Sequence, residues 1–182
     1  QIPDGPVNTF YDFCNAFPTI AHAWCFACLR CIDLALPVYT LIKDLYEDSA
    51  AYSSGIGTGD FLFYMLAGVR TGCPMSATLF LLALNPFVDL LNWLSDGPKL
   101  SRTVLCADDV GSALRKLEAL KIQHSIFSLA QRVAGMHLKP TKCFLVVTAV
   151  ALTEEIAAAI KAWLASNIPD WKDFHIVDTG KY

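Results

Sequence analysis

The amino-acid sequence predicts an α+β fold, a mainly antiparallel sheet with helices packed on one face. Three observations predict it. Strand-like and helical segments alternate irregularly, as strand, helices, hairpin, helix, hairpin, helix, strand, helix; this is the mixed pattern of a helix-covered antiparallel sheet rather than a regular βα repeat. Apolar residues make up 54% of the 182 residues and charged ones 17%, a balance that folds rather than stays disordered. No repeat, low-complexity tract or linker divides the chain, so residues 1–182 suit a single domain with a real core.

After a loop-like opening, Gln1 to Pro6, the stretch from Val7 to Phe13 has strand composition and puts Asp12 near the strand's end. From Thr19 to Leu36 the pattern is helical and should stop before Pro37, because proline disfavours helical geometry in the residue ahead of it. Val38 to Tyr46 is a second helix, with Val38, Leu41 and Leu45 at helical spacing. Ala50 to Ile56 and Phe61 to Ala67 form a predicted hairpin about Gly57-Thr58-Gly59-Asp60. A loop from Gly68 to Pro74 leads into an apolar helix from Met75. Its pure apolar run, Leu79 to Leu84, is far too short to span a bilayer, and Asn85, Pro86 and Asp89 interrupt the wider window. A buried core helix, and no membrane, is the expectation. Thr103 to Cys106 and Val110 to Ala113 are short strands turning at Asp108-Asp109. A helix from Leu114 to Val133 ends at a capping Gly135, and Cys143 to Val147 is a strand. The last helix, Thr153 to Ala165, starts with a capping threonine and has Glu154-Glu155 in its first turn.

The formal net charge of -3 argues against a free-standing nucleic-acid binder, which relies on Lys and Arg to neutralise phosphates. It leaves room for a catalytic module that holds cations while neighbouring segments grip the phosphates. The apolar surplus predicts that some surface packs against another domain or chain. Nothing resembles a signal peptide, so the seven cysteines are expected to be reduced thiols. Cys25, Cys28 and Cys31 share one helix face, but no fourth ligand follows at a short spacing, so they are expected to be small core residues. The four histidines show no ligand spacing, and no nucleophile elbow, P-loop or dinucleotide fingerprint is present.

The acidic residues carry the chemistry. Asp108 and Asp109 repel each other at a tight turn, and a divalent cation relieves that repulsion, since hard oxygen ligands suit Mg²⁺. An adjacent acid pair is equally at home in a solvated β-turn, and Asp12 taken alone is simply an acid near a strand end. If the first strand lies beside the Asp108-Asp109 hairpin, three carboxylates converge and can hold two Mg²⁺ ions.

Four segments together resemble reverse transcriptases, particularly those of non-LTR retrotransposons and group II introns. They are Tyr11-Asp12-Phe13-Cys14-Asn15-Ala16-Phe17 with His22; Gly68 to Phe80, reading GVRTGCPMSATLF; Cys106-Ala107-Asp108-Asp109; and Gly135 to Cys143, reading GMHLKPTKC. Lys181-Tyr182 is similar to the opening of the family's next motif. The resemblance implies a polymerase palm that transfers deoxynucleotides to a primer 3′-hydroxyl. It implies two Mg²⁺ ions, with Mn²⁺ as a substitute, and an RNA template, a DNA primer and dNTPs as partners. Asp12 and Asp108 would be the principal metal ligands and Asp109 the supporting carboxylate. Phe17 would crowd the sugar 2′ position, or be an ordinary core aromatic. Arg70 would meet phosphate or template, Gly72 would let the backbone approach the nascent base pair, and Lys142 would neutralise or protonate the pyrophosphate leaving group.

The chain also departs from the family pattern. Pro18 replaces a second acid, Thr71 a glutamine that contacts the nascent pair, Cys106 an aromatic, and Lys139 an asparagine. The sequence starts near the first palm motif, so the expectation is a palm lacking most of the fingers and the thumb of a larger polymerase, which would supply the missing contacts. The alternative is a catalytically silent palm-derived scaffold or protein-interaction domain. The resemblance implies an intracellular location, nuclear for a eukaryotic retroelement.

Overall fold

A computed structural model describes residues 5–54, 59–70, 72–96, 99–106 and 109–179. Asp108, Thr71, Gly57-Thr58 of the predicted turn, and Lys181-Tyr182 lie outside the described residues. In chain order the elements are β1 (Val7–Tyr11), α1 (Ala16–Thr19), α2 (His22–Cys31), α3 (Leu36–Tyr46), β2 (Ala50–Tyr52), β3 (Phe61–Tyr64), α4 (Ser76–Asp96), β4 (Ser101–Cys106), β5 (Asp109–Leu114), α5 (Leu120–Ala134), β6 (Phe144–Val147), α6 (Glu154–Asn167) and β7 (His175–Asp178).

Five strands form the main sheet in the order β4-β5-β1-β6-β7, and β2 with β3 forms a separate hairpin. All main-sheet pairs are antiparallel except β6 with β7. A parallel pair needs a crossover, and α6 supplies it. Along β1, Val7, Thr9 and Tyr11 are buried while Asn8 and Phe10 are only partly so. β5 matches it, with Val110, Ser112 and Leu114 buried. Directly opposed residues share a face, so the helices cover the face of Tyr11 and Val110 and leave open that of Phe10 and Gly111.

The covering layer is α4, α5 and α6. α4 turns Phe80, Ala83, Leu84, Phe87 and Leu91 into the core. By length and composition it could cross a membrane, yet here it packs along β4 and α5 as the expected core helix, and it runs straight through Pro86. α5 presents Leu120, Gln123, Phe127, Ala130 and Ala134 as one helical stripe. Its Phe127 ring meets Tyr11 at 4.5 Å between centroids. Lys121 of α5 lies over the Trp163 ring of α6 at 5.6 Å, which sets those two helices side by side. Thr153 caps α6 as expected, accepting from the Ile156 N–H at 3.3 Å. Gly135 ends α5 at φ 72, the left-handed geometry of a helix C-cap.

Several boundaries differ from the sequence expectation. The helix expected over residues 19–36 is broken twice. Ala21 turns extended to bridge Ala67, and α2 stops at Cys31, so Pro37 lies in the first turn of α3 instead of ending its predecessor. On α3 the apolar residues Val38, Leu41 and Leu45 face outward, while Ile42 and Tyr46 are the buried pair. The helix expected from Leu114 starts at Leu120, because β5 continues to Leu114 and a 3-10 turn, Leu117–Ala119, intervenes. β7 carries no clear signal in the sequence.

Candidate catalytic cleft

β1 ends at Tyr11, paired with Val110 of β5. The next position along this register brings Asp12 beside Asp109, the first residue of β5. On the other side, β1 pairs with β6 up to Phe10–Phe144, and the same extension reaches Lys142. Asp12 thus stands between an acid and a base on the open face. The three line one cleft of 160 Å³ together with Phe10, Tyr11, Val110 and Phe144. Lys142 Nζ lies 3.4 Å from Asp12 Oδ2, with the two side chains 58% and 40% exposed. An ion pair so wet adds little stability; its interest is that a cation already sits against Asp12.

Main-chain bonds hold this corner. The Asp12 carbonyl accepts from Lys139 N–H at 2.8 Å, and the His137 carbonyl accepts from Cys14 N–H at 2.7 Å. The Asp12 N–H donates to the Cys143 sulfur at 3.4 Å. Cys143 is fully buried, and burial pushes its thiol up to about 11, so it stays a neutral acceptor beneath the carboxylate.

The remaining predicted site residues lie on the neighbouring loop. Phe17 is half-buried against Phe80 at 5.0 Å between ring centroids, and its carbonyl accepts from Val69 N–H at 2.8 Å. It does not line the carboxylate cleft. Arg70 reaches sideways to donate to Ser49 Oγ at 3.0 Å and lies over the Tyr46 ring at 5.9 Å. Gly72 has φ 87 with nothing within 4 Å of an added Cβ. Its backbone geometry favours glycine, and its flank is open to a ligand. His22 Nε2 lies 2.7 Å from the Gly68 carbonyl, tying the first motif to this loop.

Sequence reasoning missed the polar layer under the β4–β5 hairpin. Gln123, fully buried, donates to Ser101 Oγ at 3.3 Å and to Thr103 Oγ1 at 3.2 Å, and accepts from Ser112 Oγ at 3.2 Å. Asn92 of α4 bonds both main-chain groups of Thr103. The available signal was a glutamine at a core position of the α5 stripe. Of the α2 thiols, Cys25 and Cys28 are buried as expected but Cys31 is exposed rather than in the core, and among the described residues no set of three or more His, Cys, Asp and Glu is gathered to hold a metal. Burial pushes Cys25 up to about 12. For a divalent ion, Asp12 and Asp109 offer hard oxygen ligands in one cleft, which suits Mg²⁺.

A family model described as reverse transcriptase (RNA-dependent DNA polymerase) matches residues 4–168. No curated protein matches the chain. Among solved structures, the fold is similar to apo telomerase from Candida tropicalis truncated from its C-terminal domain. There the TM-score is 0.65 at 12% identity, over 84% of this chain and 32% of that one. It is also similar to telomerase from Candida albicans in complex with a TWJ fragment of telomeric RNA, with TM-score 0.60, 13% identity, and coverage of 82% and 28%. The chain thus spans about a third of those telomerase chains.

Proposed function

The chain belongs to the reverse transcriptase family, and from that premise we propose that it is the catalytic palm of a retroelement-type RNA-directed DNA polymerase. It would extend a DNA primer with deoxynucleotides copied from an RNA template. The observation that carries the proposal is the meeting of Asp12, Asp109 and Lys142, from three separate segments, in one cleft on the open sheet face. The retroelement kind rests on the segments Gly68 to Phe80 and Gly135 to Cys143.

The family uses divalent metal ions. Asp12, Asp108 and Asp109 would hold two Mg²⁺ here, with Mn²⁺ as a substitute. Bound there, such ions activate the primer hydroxyl and neutralise the charge of the triphosphate. Asp12 and Asp109 approach each other on one face, an arrangement that bound cations relieve. Lys142 would meet the departing pyrophosphate from the edge of the same cleft, releasing Asp12 as it does so. Gly72, with its open flank, would border the nascent base pair, and Phe17 and Arg70 would shape the approach of the incoming nucleotide.

An apolar surface supports the presence of further polymerase segments. On the β2–β3 hairpin Tyr52, Phe61, Leu62, Phe63 and Tyr64 are all exposed, next in sequence to the outward apolar residues of α3. Apolar surface of this kind normally packs against something, and the fingers of a longer polymerase would cover it, with a thumb completing the grip on the template and primer.

The test is RNA-templated primer extension by the full-length polymerase carrying this domain. Asp12→Asn should lower extension by at least about 100-fold, or roughly 2.7 kcal/mol of transition-state stabilisation. Undiminished extension by that variant would overturn the assignment of the cleft. Failure of the unaltered polymerase under both Mg²⁺ and Mn²⁺ would favour a palm-derived scaffold, a reading that Thr71, in place of the family's glutamine, supports.

A further inference from the structure

The loop that enters α4 holds a thiol for which the carboxylate cleft has no use. The Cys73 N–H donates to the Arg70 carbonyl at 3.1 Å, and the Cys73 carbonyl accepts from the Ser76 N–H at 3.0 Å. Ser76 Oγ donates to the Arg70 carbonyl at 2.5 Å, fastening the turn from the helix side. The thiol is thereby fixed at the N-terminus of a 21-residue helix whose first turn has no acidic residue. The positive end of the helix dipole favours an anion there, and cysteines so placed ionise readily. The Met75 N–H leads the contacts that hold this thiol below its ordinary range; partial burial opposes them, and the Tyr46 hydroxyl and Ser76 add to them.

Tyr46, the last residue of α3, supplies an independent observation. It is 4% exposed, and its hydroxyl is the one buried side-chain polar atom among the described residues without a hydrogen-bond partner. His22 meets its ring at 5.4 Å between centroids, and the Arg70 guanidinium lies 5.9 Å from the ring centre. Both contacts are with the ring, while the hydroxyl is directed at Cys73. A buried donor left unpaired is costly, and a neutral thiol is a weak acceptor. A thiolate accepts far better, as does an oxygen added to the sulfur.

We propose that Cys73 is a site of reversible oxidation by a hydroperoxide, its oxidised sulfur held between the Tyr46 hydroxyl and the N-terminus of α4. The thiolate attacks one peroxide oxygen; the S–O bond forms as the O–O bond breaks. Sulfur loses two electrons to the peroxide, and the departing hydroxide takes up a proton and leaves as water. A small thiol then attacks the sulfenic sulfur, forming an S–S bond and releasing a second water, and further thiol reduces the mixed disulfide back to Cys73. Exposure alone does not single out Cys73, because Cys31 and Cys106 are more exposed. The modification stands on the surroundings of the thiol and not on the polymerase reading. On that reading, an adduct next to Gly72 would also crowd the nascent base pair.

The test exposes the chain to hydrogen peroxide with dimedone, which captures sulfenic acids, and follows each cysteine peptide by mass spectrometry. Cys73 should be labelled ahead of Cys31 and Cys106. Tyr46→Phe should slow labelling at Cys73 by roughly threefold or more and leave the other two rates unchanged. Because that variant deletes a hydroxyl without a partner, its urea midpoint should not fall. With glutathione added, peroxide should yield a mixed disulfide at Cys73 that dithiothreitol removes. Labelling led by Cys31 or Cys106 overturns the assignment, and so does a Cys73 rate untouched in a folded Tyr46→Phe variant. The order among the thiols is read on the unaltered chain, so it decides the matter even where the variant fails to fold. Primer extension enters none of these measurements, so failure of the polymerase reading would show there alone.

Discussion

β4 is an edge strand of the sheet, and one side chain closes part of its free edge. Asn92 Oδ1 accepts from the Thr103 N–H at 2.8 Å, and its Nδ2 donates to the Thr103 carbonyl at 2.9 Å. The amide thus serves as a one-residue neighbouring strand. Thr103 is 2% exposed, so neither main-chain group regains water freely if the amide is lost. Asn92→Leu orphans both. Each unpaired buried group costs about 1–3 kcal/mol, while leucine returns about 0.5 kcal/mol of helix propensity. Edge strands relax enough to admit some water, so the low end applies, a net loss of about 1.5 kcal/mol.

The assay is urea unfolding followed by circular dichroism. With a slope of about 2 kcal/mol/M for a domain of this size, the midpoint should fall by about 0.75 M at unchanged slope. Asn85→Leu is the control. Asn85 lies on the same helix and, among the described residues, bonds Asp89 at 2.8 Å on the surface, and its loss should shift stability by less than about 0.5 kcal/mol. Amide exchange should quicken in β4 before β6, because Asn92 bonds the main chain of β4. A leucine variant with the original midpoint, or a control that falls as far, would refute the idea that Asn92 holds the edge.

Other residues give simpler tests. Thr153→Ala removes the cap on the Ile156 N–H and should cost about 1 kcal/mol in thermal or urea unfolding, with serine restoring most of it. The Met75 N–H at the start of α4 leads the contacts that hold the Cys73 thiol below its ordinary range, while burial raises Cys25 and Cys143. Iodoacetamide near neutral pH, read by mass spectrometry, should therefore label Cys73 first and reach the other two only in denaturant; equal rates would contradict this. Cys143 keeps its proton to about pH 11 in the fold, against 9.0 for a solvent-exposed thiol. Its contribution is complete below about pH 9 and is lost as pH rises towards 11, by up to about 3 kcal/mol. Cys143→Ala should flatten that part of the stability profile.

Local signals in the sequence carried much of the fold. The Thr153 cap, the Gly135 terminus, the α4 core helix and the strand pair around Asp108-Asp109 all follow from short-range chemistry. Long-range contacts account for what was hidden. The helix expected across residues 19–36 breaks where Ala21 bridges Ala67, a tertiary bond that overrides helical propensity. The spacing of Val38, Leu41 and Leu45 marked an apolar face but could not say what covers it. β7 is four residues long and forms against a parallel partner that only the α6 crossover makes adjacent. For the site, residue types near Asp12 and Asp109 were legible, but their meeting depends on β1 pairing with β5 across about a hundred residues, and no local pattern encodes that pairing.

The same contacts sort the departures from the family pattern by consequence. Lys139 meets the site through its main-chain N–H, bonded to the Asp12 carbonyl, a contact indifferent to the side chain that replaces asparagine. Pro18 falls in the first turn of α1, where the N–H it lacks would have no partner within the helix. The flanking carbonyls of Phe17 and Ile20 still tie down Val69 and Gly68. Cys106 is different. It is exposed and registers directly opposite Asp109, so the small side chain there leaves more room beside Asp109 than an aromatic would. Substitutions that act through the backbone leave the corner intact, whereas one that acts through side-chain bulk changes what fits beside Asp109. Cys106 is accordingly the position where an aromatic should narrow the space beside Asp109 without disturbing the main-chain bonds around Asp12.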